Sequence, residues 1–254
     1  MRKISVLNFK GGVGKTSFVV NVGHKLALDG YKVLIVDCDL QANASTLLNK
    51  QRRPTLLDVI REQARAVDAI QTARFNLDVL PSDSNLDKAA PYIVSSGEDG
   101  FYILKREMQE IERLKAYDIV LFDHSPSYSA VTESALLASD EMIIPCELGT
   151  FSIEGLLQMI DKLTATLTKR NHTVTVSGIV PFKYNASMSM HETYLKDLQT
   201  TFENELLPTV RQDSAVGKSQ HFHRSVFEYD PSSKAAEDFA AITNILISKK
   251  KVVV

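Results

Sequence analysis

The chain has 254 residues, of which 44% are hydrophobic and 24% charged, with two cysteines and a formal net charge of −2. This composition is ordinary for a globular protein with a sizeable core, and the length fits one large α/β domain. The small net charge argues against a protein that coats nucleic acid by bulk electrostatics, so such a contact would need a local basic patch. We find no signal peptide and no apolar run long enough to span a membrane, and Cys38 and Cys146 are too few for a disulfide framework. We therefore expect reduced thiols in a cytoplasmic protein.

Short apolar runs rich in β-branched residues alternate along the chain with longer amphipathic segments. The short runs predict strands buried on both faces, as in parallel sheets, at residues 3–9, 32–39, 76–82, 118–124, 141–147 and 174–182. The longer segments predict helices at residues 14–29, 100–116, 128–139, 152–170 and 188–206, with a further helix before the tail at 249–254. We expect the segment SSGEDG (95–100) to be a surface loop. The alternation predicts one α/β domain over residues 1–254, a doubly wound, mostly parallel sheet with helices on both faces.

The segment NFKGGVGKTS (8–17) follows the first predicted strand and leads into the first predicted helix. It departs from the common phosphate-binding loop, G-x-x-x-x-G-K-[ST], because Phe9 stands where the first glycine belongs. The glycines let the backbone wrap an anion, and the helix N-terminus points its N–H groups at the phosphates. We expect Lys15 to reach the β- and γ-phosphates and the Thr16 hydroxyl to complete the shell of a Mg²⁺ ion. The residues predicted to bind the nucleotide here are Lys10, Gly11, Gly12, Val13, Gly14, Lys15, Thr16 and Ser17.

Three aspartates end predicted strands, at the edge of the sheet where this architecture binds ligands. Asp123 ends the strand in YDIVLFD and is predicted to hold a Mg²⁺-bound water or to accept a hydrogen bond from Thr16. Asp37 and Asp39 lie at the end of the second strand, and we expect them to point to opposite sides. We assign Asp37 to the metal and Asp39 to the orientation of the attacking water. The alternative for either is a cap on the following segment, QANAS.

Four segments, in this order, resemble the signatures of the ParA/MinD superfamily of ATPases. KGGVGKTS (10–17) resembles its deviant Walker A motif, whose signature lysine matches Lys10. VDCDLQANAST (36–46) resembles its switch I, with Leu40 for proline and Ala42 for glycine. YDIVLFDHSPS (117–127) resembles its Walker B and switch II, with His124 and Ser125 for threonine and proline. LPTVRQDSAVGKSQ (207–220) and VFEYDPSSKAAEDF (226–239) are similar to the C-terminal part of ParA-type partition ATPases.

The resemblance implies an ATP- and Mg²⁺-dependent ATPase in which two subunits form a homodimer around the nucleotide. Lys10 would reach the partner's phosphates and add positive charge where the transition state develops negative charge. The alternative for Lys10 is a second phosphate lysine within its own subunit. The expected catalytic residues are then Lys10, Lys15 and Asp39. Phe182 and Pro208 align with the segments on the adenine side of the family's site.

The resemblance also implies a nucleoid-associated protein that binds DNA without sequence preference in its ATP state. Relatives that bind operators carry a helix-turn-helix before the P-loop, and no segment of that length precedes Lys10 here. Scattered basic residues would contact phosphates and give a salt-dependent affinity. The candidates are Lys183, Arg211, Lys218, Arg224 and Lys234, with help from His221 and His223. A ParB-like adaptor would stimulate the weak intrinsic hydrolysis of a protein that segregates plasmid or chromosomal DNA.

Other functions remain open at this point. The same ATPase can position a protein cargo such as a carboxysome on the nucleoid, or it can be a nucleotide-sensing switch for assembly. A MinD-like membrane ATPase needs an amphipathic C-terminal helix, for which FAAITNILISKKKVVV (239–254) is the candidate, although it is also needed to cover the sheet. An iron–sulfur role is set aside, because Cys38 lies between the two switch aspartates and Cys146 lies within another predicted strand.

Overall fold

The computed structural model of the chain describes residues 1–50, 53–148 and 153–248. Within these residues eight strands form one sheet, in the order β3-β4-β2-β5-β1-β6-β7-β8. Every pair of neighbouring strands is parallel except the antiparallel pair β3–β4. The strands are β1 (Arg2–Val6), β2 (Val33–Cys38), β3 (Gln71–Arg74), β4 (Leu77–Leu80), β5 (Ile119–His124), β6 (Glu141–Glu147), β7 (Thr175–Tyr184) and β8 (Val210–Arg211). The predicted, mostly parallel sheet is confirmed.

Helices connect the strands and lie against both faces of the sheet. Those of the first half are α1 (Lys15–Leu28), α2 (Asn43–Leu47), α3 (Leu56–Ile60), α4 (Ala66–Ala69), α5 (Ala89–Ser95), α6 (Gly97–Phe101) and α7 (Ile103–Arg113). Those of the second half are α8 (Ala130–Leu137), α9 (Ile153–Thr168), α10 (Ser189–Thr201), α11 (Ser214–His221), α12 (Val226–Tyr229) and α13 (Lys234–Ser248). In the described part of the chain, no helix has the length and apolar character needed to cross a membrane.

Strand β2 shows why the central strands read as continuous apolar runs. Val33 and Ile35 belong to a buried cluster with α1 and α13 on one face of the sheet. Leu34 and Val36 belong to a second cluster with α3, α5, α7 and α8 on the other face. Successive side chains of a strand point to opposite faces, so a sheet covered on both sides needs apolar residues at every position. The doubly wound architecture predicted from these runs is confirmed.

The structure differs from the sequence-based expectation at several elements, and the helices that were not predicted are α2, α3, α4, α5, α11 and α12. Strands β3 and β8 were not predicted, because β3 is short and polar and β8 has two residues. Residues 97–101 form α6, so the surface loop expected at 95–100 is wrong. A Cβ on Gly100 would lie 2.2 Å from the carbonyl oxygen of Ile93, so glycine is what lets α6 pack against α5. The tail at 249–254 and the predicted helix start at residue 152 lie outside the described residues.

Candidate functional site

The loop between β1 and α1 lies at the carboxyl edge of the sheet and depends on its glycines. Gly12 and Gly14 have φ angles of 75° and 97°, in the left-handed region that side chains adopt only with strain. Gly14 is also the N-cap of α1. A Cβ on Gly14 would lie 2.4 Å from a ring carbon of Phe182, so the loop and β7 meet at a distance that only glycine allows. Val13 lies between them with a fully buried side chain, so only its backbone is available to a ligand of the loop.

Lys15 begins α1, and its ammonium group is held by the loop itself. Its Nζ donates hydrogen bonds to the carbonyl oxygens of Asn8 and Lys10, each at 3.0 Å. Burial lowers the pKa of Lys15, and the nearby carboxylates of Asp123 and Asp39 oppose that change. A buried ammonium among carbonyl and carboxylate oxygens is a fixed positive charge beneath the loop.

The Asn8 side chain links the start of the loop to the neighbouring strand β6. This fully buried side chain donates from Nδ2 to the carbonyl oxygen of Pro145 in β6, at 2.8 Å. Its Oδ1 accepts from the backbone N–H of Lys10, at 3.0 Å. The backbone at Lys10 is therefore fixed from one side by Asn8, while the Lys10 side chain is half-buried.

Asp123 is the penultimate residue of β5, in register with Val6 of β1 and Asp37 of β2. It is fully buried, and among the described residues neither carboxylate oxygen has a hydrogen-bond partner. Burial and the charge of Asp37 raise the pKa of Asp123 well above its usual range, while Thr16 and Lys15 act in the opposite direction. A buried carboxylate without donors is costly unless a cation or a proton satisfies it. The surroundings of Asp123 therefore suit a positive charge near Thr16.

Asp37 has its hydrogen bonds within the switch I segment. Its Oδ2 accepts from the backbone N–H of Ser45 at 2.8 Å and from the Ser45 hydroxyl at 2.6 Å, and its Oδ1 accepts from Asp39 N at 3.2 Å. Burial raises the pKa of Asp37 to about 6, against the effect of these hydrogen bonds. These contacts hold the first turn of α2, as the capping alternative expects, and the assignment of Asp37 to the metal stays a prediction.

Asp39 differs from Asp37 in what it faces. It lines the cavity above the loop, and its Oδ1 accepts from the backbone N–H of Gln41 at 3.0 Å. The two aspartates have different surroundings although residues two apart in a strand face the same side, because β2 ends at Cys38 and Asp39 lies beyond it.

A cavity of about 520 Å³ opens over the loop, and a volume of this size suits a small-molecule ligand. Of the two residues expected on the adenine side, its described lining includes Phe182 but not Pro208. Residues that sequence reasoning did not single out form the far wall: Gln212, Asp213, Val216, Gly217 and Gln220. They lie within the C-terminal segment 207–220 whose family resemblance was visible, but no motif marks them individually. Gln220 also donates to the Ser17 hydroxyl at 2.7 Å, which ties α11 to α1.

The five basic residues predicted to contact DNA fall into two groups. Lys183 pairs with Glu147 at 2.8 Å, and Arg211 pairs with Asp238 and Glu237 of α13. Lys183 and Arg211 also line the cavity. The other three are exposed and make no ion pair with any described residue: Lys218, Arg224 and Lys234.

A glycine loop between a parallel strand and a helix, with a lysine below it and a buried aspartate on an adjacent strand, defines a P-loop nucleotide-binding protein. Residues 1–176 match the family model described as "AAA domain". Chromosome partitioning protein ParA of Caulobacter vibrioides is 30% identical over 256 residues, which covers 99% of this chain and 96% of that protein. Cell division protein PomZ of Myxococcus xanthus is 33% identical over 251 residues, covering 96% and 78% of the two chains.

A solved structure is also similar to this chain in its fold. The septum site-determining protein MinD of Pyrococcus horikoshii, in complex with Mg-ADP, superimposes with a TM-score of 0.78 at 25% identity, covering 100% of this chain and 99% of that one. The present chain belongs to the AAA domain family and, with these relatives, to the ParA/MinD superfamily of P-loop ATPases.

Proposed function

We propose that this chain is an ATP- and Mg²⁺-dependent partition ATPase, which dimerises with ATP, binds DNA non-specifically in that state and segregates DNA in the cytoplasm with a ParB-like adaptor. The observation that carries the ATPase part is the buried, unpartnered carboxylate of Asp123 under a glycine loop. The cavity and its lining fit a nucleotide, and the surroundings of Asp123 fit a divalent cation that oxygen ligands hold.

Thr16 and Asp123 are the residues that would hold Mg²⁺, which when bound supplies positive charge to the β- and γ-phosphate oxygens. The N–H groups at the start of α1 and the Lys15 ammonium would bind the phosphates. Asp37, with its oxygens engaged by Ser45 and Asp39, keeps switch I in place in this proposal instead of acting as a ligand. Phe182, which lines the cavity beside Gly14, would pack on the base.

Asp39 is the carboxylate proposed to accept a hydrogen bond from the attacking water. It lines the cavity on the loop side, within the field of Lys15, and phosphoryl transfer needs such a group mainly for positioning. Lys10 is proposed to act across the dimer on the partner's phosphates, because Lys15 already fills the place of the intramolecular lysine.

The DNA surface is proposed at the end of α11. Lys218 and Arg224 are exposed there and flank Phe222, which is 56% exposed and stacks on Tyr229 with ring centroids 5.6 Å apart. Exposed basic groups around an aromatic ring suit contact with phosphates and bases. Lys183 and Arg211 are left out of this surface, because carboxylates already hold them.

A second candidate is the same ATPase positioning a protein assembly instead of DNA. It is favoured by the 33% identity to a relative named as a cell division protein. A membrane-bound role is disfavoured by α13, whose apolar residues Phe239, Ile242 and Leu246 are buried against the sheet. The part of the predicted membrane segment at 249–254 lies outside the described residues.

The proposal is tested by measuring ATP turnover and sedimentation over a series of protein concentrations, with ATP, with ADP and without nucleotide. We expect a dimer with ATP alone, and a specific activity that rises as the dimer forms. Flat specific activity down to concentrations at which the protein is monomeric would rule out the shared site. Fluorescence anisotropy with DNA duplexes of unrelated sequence then tests DNA binding: equal affinities seen only with ATP support it, and no binding favours the protein cargo.

A further inference from the structure

Two aromatic side chains join the P-loop to switch II. Phe9 immediately precedes Lys10, and Tyr128 follows the turn after β5. Their ring centroids lie 5.9 Å apart with planes at 84°, an edge-to-face contact that contributes on the order of 1 kcal/mol beyond area burial. Because Asn8 holds the Lys10 backbone from one side, Phe9 is the second side chain that fixes this part of the loop.

The Tyr128 ring is held in place by a partly buried ion pair. Its hydroxyl donates to Oε2 of Glu133 in α8, at 2.9 Å. The other oxygen of Glu133 accepts from Nε of Arg170, which follows α9. Burial and Glu133 raise the pKa of Tyr128 to about 12, so its hydroxyl keeps the proton it donates at neutral pH.

Arg170 is itself fixed by three further contacts. Its guanidinium lies 3.9 Å from the ring centroid of Phe101, and its Nη1 lies 2.6 Å from Oε1 of Glu98. Its backbone carbonyl accepts from the Tyr102 hydroxyl at 3.2 Å. The side chains of Glu133 and Arg170 are only 10% and 17% exposed, so removal of one partner leaves the other charge poorly solvated.

We propose that Tyr128 is a positioning residue for Lys10. The ring fixes Phe9, and through it the backbone from which the Lys10 side chain projects, while Glu133 and Arg170 fix the ring. Since Tyr128 directly follows the segment that resembles switch II (117–127), a shift of that segment moves the P-loop residue next to Lys10. This inference rests on the proposed function of Lys10.

Simple core packing does not account for the arrangement. Tyr128 is 39% exposed and Phe9 is half-buried, so the pair removes little apolar surface from water compared with core residues such as Phe18 or Phe122. A polar anchor that reaches from switch II to the end of α9 instead fixes direction, which is what a catalytic side chain one residue away requires.

The test is a double-mutant cycle in ATP turnover with Phe9→Leu, Tyr128→Leu and the double variant. We expect Tyr128→Leu to lower kcat about tenfold while KM for ATP and the affinity for ADP stay within about twofold. The double variant should be no slower than the slower single variant, because both break one contact. Tyr128→Phe, which keeps the ring but loses the hydrogen bond to Glu133, should have a kcat between those of Tyr128→Leu and wild type. Phe75→Leu is the matched control, since Phe75 is 87% exposed in the turn between β3 and β4.

Additive effects in the cycle, or a Tyr128→Leu variant with normal kcat, would overturn the inference. Circular dichroism and the melting temperature of each variant identify failure to fold, and in that case Tyr128→Phe and Glu133→Gln carry the test. ATP-dependent dimerisation of Lys10→Ala, measured in parallel, separates the two ideas. If Lys10→Ala dimerises and turns over normally, the proposed function of Lys10 is wrong, whereas a coupled cycle still shows that Phe9 and Tyr128 act together.

Discussion

The ammonium group of Lys15 donates a hydrogen bond to the carbonyl oxygen of Lys10, 3.0 Å away. The two lysines of the loop are therefore linked through the backbone of one and the side chain of the other. A substitution at Lys10 leaves that carbonyl in place, while a substitution at Lys15 removes the donor. The two residues can thus be separated experimentally, although they are five positions apart in the same loop.

Lys15→Ala should weaken nucleotide binding, because it removes a buried positive charge from the phosphate site. A charge-assisted contact is worth about 1.5–3 kcal/mol, which corresponds to roughly a tenfold to hundredfold decrease in affinity. Titration with a fluorescent ATP analogue measures it. An affinity unchanged from wild type would show that Lys15 does not contact the phosphates.

Lys10→Ala should bind the nucleotide as wild type does but fail to form the ATP dimer. The Lys10 backbone keeps its contacts to Asn8 and Lys15, so the local loop is preserved in the variant. Analytical ultracentrifugation with ATP reads out the dimer, and the titration used for Lys15→Ala provides the affinity. A dimer of wild-type strength would favour the alternative in which Lys10 serves its own subunit.

Asp39→Ala should bind ATP and dimerise but turn over about a hundredfold or more slowly, since a positioned acceptor contributes that much to proton transfer. Asp37→Asn is the informative comparison. It removes part of the hydrogen bonding that holds Ser45, so we expect a lower melting temperature without nucleotide. If Asp39→Ala hydrolyses ATP at the wild-type rate, another group orients the water.

The strands and the loop were predictable because their physical signals are local. Buried parallel strands leave unbroken apolar runs, and the loop needs Gly12, Gly14 and Lys15 at fixed spacing. The wall of the cavity at Gln212 and Gln220 was not predictable from the sequence, because it depends on how α11 packs against α1. The ion pairs that occupy Lys183 and Arg211 were equally hidden, since their carboxylate partners are 36 and 27 residues away. The hydrogen bonds between Asp37 and Ser45 were hidden as well, because a strand end alone does not reveal where Ser45 returns to it.

The contribution of His24 to stability should fall as the pH drops from about 7.5 to about 5.5, whereas the raised pKa values of Asp37 and Asp123 act in the opposite direction. Burial lowers the pKa of His24, whose Nδ1 lies 2.6 Å from the Ser225 hydroxyl oxygen. When the folded pKa is below the unfolded value of about 6.5, the unfolded chain binds more protons, so the stabilisation is present above that pH and disappears as the pH falls.

Urea unfolding of wild type and His24→Asn at the two pH values checks this. The variant keeps a polar group near Ser225 that cannot titrate. Its free energy of unfolding should therefore fall less between the two pH values than that of wild type. His124 and His172 also have lowered pKa values, which leaves a smaller dependence in the variant. Equal decreases in both proteins would show that His24 does not contribute.

The proposed DNA surface predicts how the affinity for DNA changes with salt concentration. Removing one basic side chain that binds a DNA phosphate should reduce the slope of log K against log salt concentration by about 0.9. Lys218→Ala and Arg224→Ala should each show this reduction in the ATP state, because both side chains are exposed. Lys183→Ala should show less, since Glu147 already neutralises Lys183. Lys32→Ala is the control, because Lys32 is exposed just before β2, at the edge of the sheet opposite the loop. A slope that stays constant in the first two variants, or falls equally in Lys32→Ala, would place the DNA-binding surface elsewhere.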